Sequence, residues 1–197
     1  MTTELITIIG AVIVAALGSP VVVLYAKQYF ERKTKTMTIN NRINNDKIML
    51  EKLYEILYTT CADRAFIFQL HPESNPTYMS CTHEVVKTGV SKEIHNLQGL
   101  LLSEWNIFLM KLKDDGFVLI DFVNELSEND IKLQTLLKNK GVKSSYKKTI
   151  FNNNKQIIGF IGVEFCSDIK KISGETIQLL SEQSVYLEKY LGEYKHV

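Results

Sequence analysis

The sequence predicts an α+β fold, an antiparallel sheet flanked by helices, preceded by one N-terminal transmembrane helix. Three observations carry that prediction. The first is an uncharged apolar run over residues 5–25 with charges beginning directly after it. The second is a hairpin pattern late in the chain, two strand-like runs joined by an Asn-rich turn. The third is a helical apolar stripe at each end of the remaining sequence, which a half-buried sheet needs as a cover.

Residues 5–25 read LITIIGAVIVAALGSPVVVLY. About 20 apolar residues span the hydrocarbon core of a bilayer. Pro20 is tolerated near one end of such a span. Met1-Thr2-Thr3-Glu4 lacks the positive n-region of a cleaved signal peptide, so a retained anchor over 1–26 is expected. Lys27, Arg32, Lys33 and Lys35 follow the run. The positive-inside rule then predicts a single-pass protein of the inner (cytoplasmic) membrane, with its soluble domain facing the cytoplasm. Gly10, Val14 and Gly18, like Ala11, Ala15 and Ser19, recur every four residues. Small residues at that spacing allow close helix packing, though they are also common in spans that stay alone.

Residues 27–45 read as a stalk or linker helix, polar through Asn40, Asn41, Asn44 and Asn45. The helix continues to residue 60 without Pro or Gly. Ile39, Ile43, Leu50, Leu53 and Leu57 form a 4-3 stripe that Asp46 interrupts. Ile48, Met49 and Ile56 widen the apolar face, so the second half is expected to pack on the domain, which spans 46–197.

Strands are predicted over 63–70, rich in aromatic and branched residues, and over 78–86, with Pro72 and Pro76 between them. Residues 89–99 form a long connection with short helical turns. Ser103 is read as the cap of a helix over 104–113, in which Trp105, Phe108, Leu109 and Leu112 share a face. A short strand follows at 117–120. Ser127 and Asp130 fit a capping box for the next helix, which Gly141 closes. Strands over 142–151 and 156–165 make the hairpin, turning at residues 152–155, where Asn tolerates left-handed backbone. Ser173 caps the last helix, whose Ile177, Leu180, Leu187, Leu191 and Tyr194 line one side.

Composition excludes several functions. The chain is 45% hydrophobic and 23% charged, as a globular protein is, and its net charge of +1 is unlike that of a nucleic-acid binder. Cys61, Cys81 and Cys166 lie far apart with no metal-ligand spacing, so no metal is expected and the thiols are read as free. No GxSxG, P-loop, HExxH or dinucleotide fingerprint is present, and no catalytic residue is assigned.

The strand ADRAFIFQLH, the stretch YMSCTHEVVKTGVSKEIHNLQ, the GVKS strand start and IIGFIGVEF before the last helix resemble the GAF family over about residues 40–195. The chain is similar in particular to GAF-like proteins of tailed phages and bacteria that carry an N-terminal membrane segment. The resemblance implies small-molecule binding between the sheet and the irregular connections, or a role as a dimerisation module. Bilin-attaching members have Cys followed directly by His. Here the order is Cys81-Thr82-His83, so neither a tetrapyrrole nor any other cofactor is expected.

On that reading Phe68, His71, Tyr78, Met79, Cys81, His83, Trp105 and Glu164 are the candidate pocket residues, although the aromatics and Met79 also read as ordinary core. Alternation sends Met79, Cys81, His83 and Val85 to one face of their strand. Glu164, inside an apolar strand, is expected either on the solvent face or paired with Lys147 or Lys148. The resulting expectation is a membrane-tethered, non-catalytic sensor or interaction module, homo-oligomeric through its helices, with a small cytoplasmic ligand. The alternative is a phage holin-like or virion-associated membrane protein.

Overall fold

The computed structural model describes residues 20–71, 75–127 and 130–191, with side chains from residue 39 onward. Two compact units are distinguished, Met1–Asn44 and Asn45–Val197. In the first, the described residues are all helical and belong to helix α1, Pro20–Thr60. Its Ile39 and Ile43 are exposed, as a solvated stalk requires. Among the described residues no helix is long and apolar enough to cross a membrane. Most of the run at 5–25, with its small-residue stripe, lies outside the described residues.

The second unit is built on one six-stranded sheet, every neighbouring pair antiparallel, in the order β3-β2-β1-β6-β5-β4. The strands are β1 Arg64–His71, β2 Tyr78–Val86, β3 Leu100–Leu101, β4 Phe117–Ile120, β5 Ser144–Phe151 and β6 Ile157–Phe165. The helices after α1 are α2 Asn106–Asp114, α3 Ile131–Asn139 and α4 Gly174–Leu191. The central pair β1–β6 carries the longest apolar runs because it is covered on both faces.

One face of the sheet is covered by the 45–60 part of α1 and by α4. Met49, Leu53 and Ile56 meet Ile67, Ile161, Leu180 and Leu187 there, all at 0% exposure. The apolar stripe of α1 widens at these positions because it rests on a sheet. The other face is covered by the crossing segments with α2 and α3, over a second core that includes Phe66, Phe68, Phe108, Leu112 and Phe160.

Two caps differ from expectation. Ser103 lies inside a short 3-10 turn, Leu102–Glu104, and α2 starts after it without a side-chain cap. The 127–130 segment also forms no capping box. Asp130 turns its carboxylate toward Lys111 and Ser127 instead of its own helix, so α3 likewise starts uncapped. Gly141 follows the C-cap of α3 with φ of 68°, as a glycine C′ residue does. Ser173 Oγ accepts from Thr176 N–H at 3.2 Å and caps α4, whose Tyr194 lies outside the described residues. In the hairpin turn the left-handed residue is Lys155, at φ 59°, and not an asparagine. Asn152 contributes as an acceptor, its Oδ1 taking Asn154 N–H and Gln156 N–H.

Candidate functional site

Strand alternation on β1 sends Ala65 and Ile67 toward the helices, and Arg64, Phe66 and Phe68 toward the crossing segments. The same alternation fails on β2. Its register shifts between the pairs Ile67↔His83 and Phe68↔Cys81, leaving Thr82 as an extra residue. A bulge reverses which face the following residues meet. Met79 and Cys81 therefore join the aromatic core, whereas His83 and Val85 face the helices. This corrects the expected common face of Met79, Cys81, His83 and Val85. His83 is 8% exposed; its Nε2 lies 3.1 Å from Asp46 Oδ1 of α1 and its Nδ1 3.0 Å from Thr82 Oγ1. Asp46, the interruption in the stripe of α1, is thus a partner for a histidine that the bulge delivers.

Of the predicted site residues, Phe68, Met79, Cys81 and Trp105 come together in one aromatic cluster. Phe68 stacks on Phe160 at 4.7 Å between centroids, and Phe108 meets Phe160 edge-on at 5.3 Å. Burial pushes the Cys81 thiol far above its ordinary range, so it stays protonated and unreactive. His71 and Tyr78 pair with each other at 5.3 Å between rings, at the end of the β1–β2 pair, one register step beyond Leu70 and Met79 of this cluster.

Glu164 is not on a solvent face. It is 1% exposed, on the side of Arg64 and Phe66, and its main partners are Arg64 and Lys140. Arg64 Nη1 donates to Glu164 Oε2 at 2.5 Å, and Lys140 Nζ to Glu164 Oε1 at 2.9 Å. Lys147 adds its charge from the neighbouring strand while donating to Ser145 Oγ at 2.6 Å. On the other side of Arg64, Nε lies 3.0 Å from Glu84 Oε1 and Nη2 donates to the Ser91 carbonyl at 2.9 Å. Glu84 in turn accepts from the Glu93 and Ile94 amides.

Burial alone would raise the Glu164 carboxyl, but Lys140, Lys147 and Arg64 outweigh it and hold the group down to about 2. Burial lowers Lys147 to about 8, against the pull of Glu164. Arg64, Glu84 and Lys140 are not among the candidate pocket residues the sequence offers, and Lys140, in a basic run that reads as a solvated face, is buried against Glu164. The one signal available in the sequence is that a carboxylate in an apolar strand demands a cation.

Two clefts border these features. One of about 400 Å³ opens on the charged network between Arg64, Lys140 and the 89–93 loop. The other, of about 220 Å³, lies between the first turns of α2 and α3, against Trp105, Phe108, Lys132 and Leu133. Among the described residues no group of three or more His, Cys, Asp or Glu side chains could hold a metal ion.

No protein-family model and no curated protein matches the sequence. Solved structures do match the fold. A far-red cyanobacteriochrome photoreceptor superposes with a TM-score of 0.66 at 15% identity, covering 88% of this chain and 100% of that one. The GAF domain of PixJ from Thermosynechococcus elongatus, in its blue-light-absorbing form, gives 0.60 at 14%, over 79% and 97%. The phycoerythrobilin-bound GAF domain of a cyanobacterial phytochrome gives 0.61 at 17%, over 82% and 92%. The fold is that of a GAF domain, as the sequence resemblance implied.

Proposed function

We propose that this GAF-fold chain is a membrane-tethered, non-catalytic module that binds a small molecule, dimerises through α1 and α4, and passes the signal to a partner. The observation that carries the ligand-binding part is the GAF fold itself, with an aromatic cluster between the sheet and the crossing segments and clefts at its borders. Solved structures of the same fold include domains described with bound biliverdin and phycoerythrobilin.

A bilin is a poor fit here. Phe66, Phe68, Phe108 and Phe160 fill the space over the sheet, and Cys81 is a buried thiol two residues from a histidine on the opposite face. The clefts suit a smaller ligand. Tethering rests on the apolar run at 5–25 and on the positive charges after it, which favour a cytoplasmic domain. Dimerisation is supported by Tyr54, Tyr58, Val185 and Tyr186, exposed side chains on the two helices that cover the sheet.

Native mass spectrometry of the full chain released from detergent micelles tests the reading, together with melting against a metabolite panel. A defined small-molecule mass, or a saturable rise in melting temperature with one compound class, is expected. A chain that carries nothing and responds to no compound would sink the sensing role.

A further inference from the structure

Strand β4 ends the sheet, and among the described residues no strand pairs with its outer side. The Thr149 N–H donates to the Gly116 carbonyl at 3.1 Å, and the register sets Phe117 opposite Lys148. Hydrogen-bonded pairs alternate along an antiparallel ladder. The bonded positions on this side are therefore Gly116, Val118 and Ile120. Phe117 and Leu119 turn both their N–H and their C=O groups outward, as a template for a further strand.

The side chains mark the same place. Phe117 and Leu119 are 39% and 40% exposed, and Phe122, just after the strand, is 44% exposed. The Phe117 ring lies 5.9 Å from that of buried Tyr146, on the face that α4 covers, but α4 rests mainly on β5 and β6. Natural sheet edges are blunted by lysine, proline, a bulge or a very short strand. The opposite edge strand β3 has 2 residues and runs straight into a turn. β4 reads FVLI, without lysine or proline, and keeps one register along β5.

Charge selects what could pair there. Asp114 and Asp115 precede the strand, and Asp121 and Glu125 follow it, against Lys113 before it and Lys148 on β5. In a second copy paired through this edge, Phe117 of each chain would face Leu119 of the other. That register sets Asp115 against Asp121 at both ends, and like charges placed opposite each other destabilise a pair. A strand with basic ends meets no such penalty.

We infer that the outer edge of β4 docks an extended segment of a partner protein, with alternate apolar residues against Phe117 and Leu119 and a lysine or arginine at each end. The segment adds a strand to the sheet, so main-chain bonds give affinity and the side chains give selectivity. The inference goes beyond small-molecule binding, since it needs neither a ligand nor a dimer.

The test uses the full chain in detergent micelles and the labelled peptide Lys-Thr-Val-Thr-Ile-Thr-Lys, followed by anisotropy at low salt. Saturable binding is expected, and the Phe117 and Leu119 amides should exchange hydrogen at least about tenfold more slowly in the complex. The same peptide with glutamate at both ends should bind about tenfold more weakly. Leu119→Pro removes an outward N–H and leaves the bonds to β5 in place, a position where an edge strand tolerates proline. It should weaken binding at least about tenfold with little change in melting temperature. Asp114→Lys with Asp115→Lys, exposed at the C-terminal end of α2, should shift the preference toward the glutamate-ended peptide. A misfolded chain would show no such gain.

No saturable binding, equal binding of the two peptides, or unchanged binding by L119P would each overturn the inference. So would slow exchange at Phe117 and Leu119 in the chain alone that dilution relieves, because a second copy would then cover the edge. A chain that binds a metabolite and not the peptide loses this docking site and keeps the sensing role.

Discussion

At the scale of single residues the charged network sets the energetics. Glu164 sits dry among three cations, and breaking a buried pair costs more than forming it returns, because the orphaned charge stays behind. Glu164→Gln should therefore lower stability by about 3–5 kcal/mol in urea unfolding at neutral pH. The pH dependence follows from the depressed carboxyl. With an ordinary value of 4.5 and a folded value of about 2, the group binds its proton earlier in the unfolded chain. Its contribution is complete above 4.5 and is lost as the pH falls toward 2, an acid-side loss of ~3 kcal/mol. The gap in stability between the natural chain and E164Q should close over that interval; a gap constant from pH 6 to pH 2 would rule the linkage out. The burial of Glu164 was not legible in the sequence because its neighbours in β6 are apolar whichever face they meet. Its partner Arg64 is 100 residues away, and only sheet pairing brings the two together. His83 was misplaced for a different reason. Period-two reasoning holds only while the register holds, and Thr82 breaks it without any Gly or Pro to announce a bulge.

At the scale of elements, local chemistry was read well where a segment's own residues decide its state. Strand β2 and strand β4 begin and end where their patterns do, and the Asn-rich turn closes the hairpin. The two missed caps show the limit of local reading, since Asp130 prefers a cation on another helix to its own backbone. Strand β3, two residues long, has no pattern of its own and exists only as the edge partner of Tyr78 and Met79. Within β6, Gly159 is demanded by its neighbour. A Cβ there would lie 2.2 Å from the Phe68 carbonyl oxygen, which is backbone and cannot swing away. At Gly162 the nearest obstacle is the Phe66 ring at 2.6 Å, a side chain that can move. Both Gly→Ala changes should destabilise, by about 1–3 kcal/mol for Gly162 and more for Gly159. Denaturant midpoints that rank the two in reverse would contradict this account of the β1–β6 contact. On α1, Leu53→Ala should cost about 2–5 kcal/mol, because the side chain is fully enclosed between the sheet and α4. The exposed Leu50, on the same predicted stripe, should cost far less when truncated.

At the scale of the whole molecule, the sequence supported the α+β class and the helices at both ends of the domain, because each rests on periodicity. The sheet order was beyond it. Placing β1 beside β6 requires a pairing across about ninety residues that no local pattern encodes. The outer surface left by that arrangement leads to the last prediction. Tyr54 and Tyr58 stack along α1, Lys52 Nζ lies 5.3 Å from the Tyr186 ring of α4, and Tyr186 meets Tyr190. Tyr58 and Val185 are 74% and 73% exposed. Tyrosines anchor interfaces well because they bring large area with little conformational entropy to lose. Charged substitutions on this face, Tyr58→Glu with Val185→Glu, should abolish cross-linked dimer of the full chain in micelles. Their melting temperatures should stay near that of the natural chain, since neither side chain is part of the core. A competing source of association lies in the apolar run at 5–25, where Gly10 and Gly18 recur at a spacing that favours packing in a bilayer. Replacing both glycines by leucine tests it separately. If the glutamate pair separates the dimer and the leucine pair does not, the helices of the domain carry the association and a ligand on the opposite face of the sheet could alter it through β2 and α1. If only the leucine pair separates it, the membrane segment is the dimerisation element and the tyrosine face is free for a partner protein. A natural chain that is monomeric in micelles and in liposomes would remove dimerisation from the proposed function altogether.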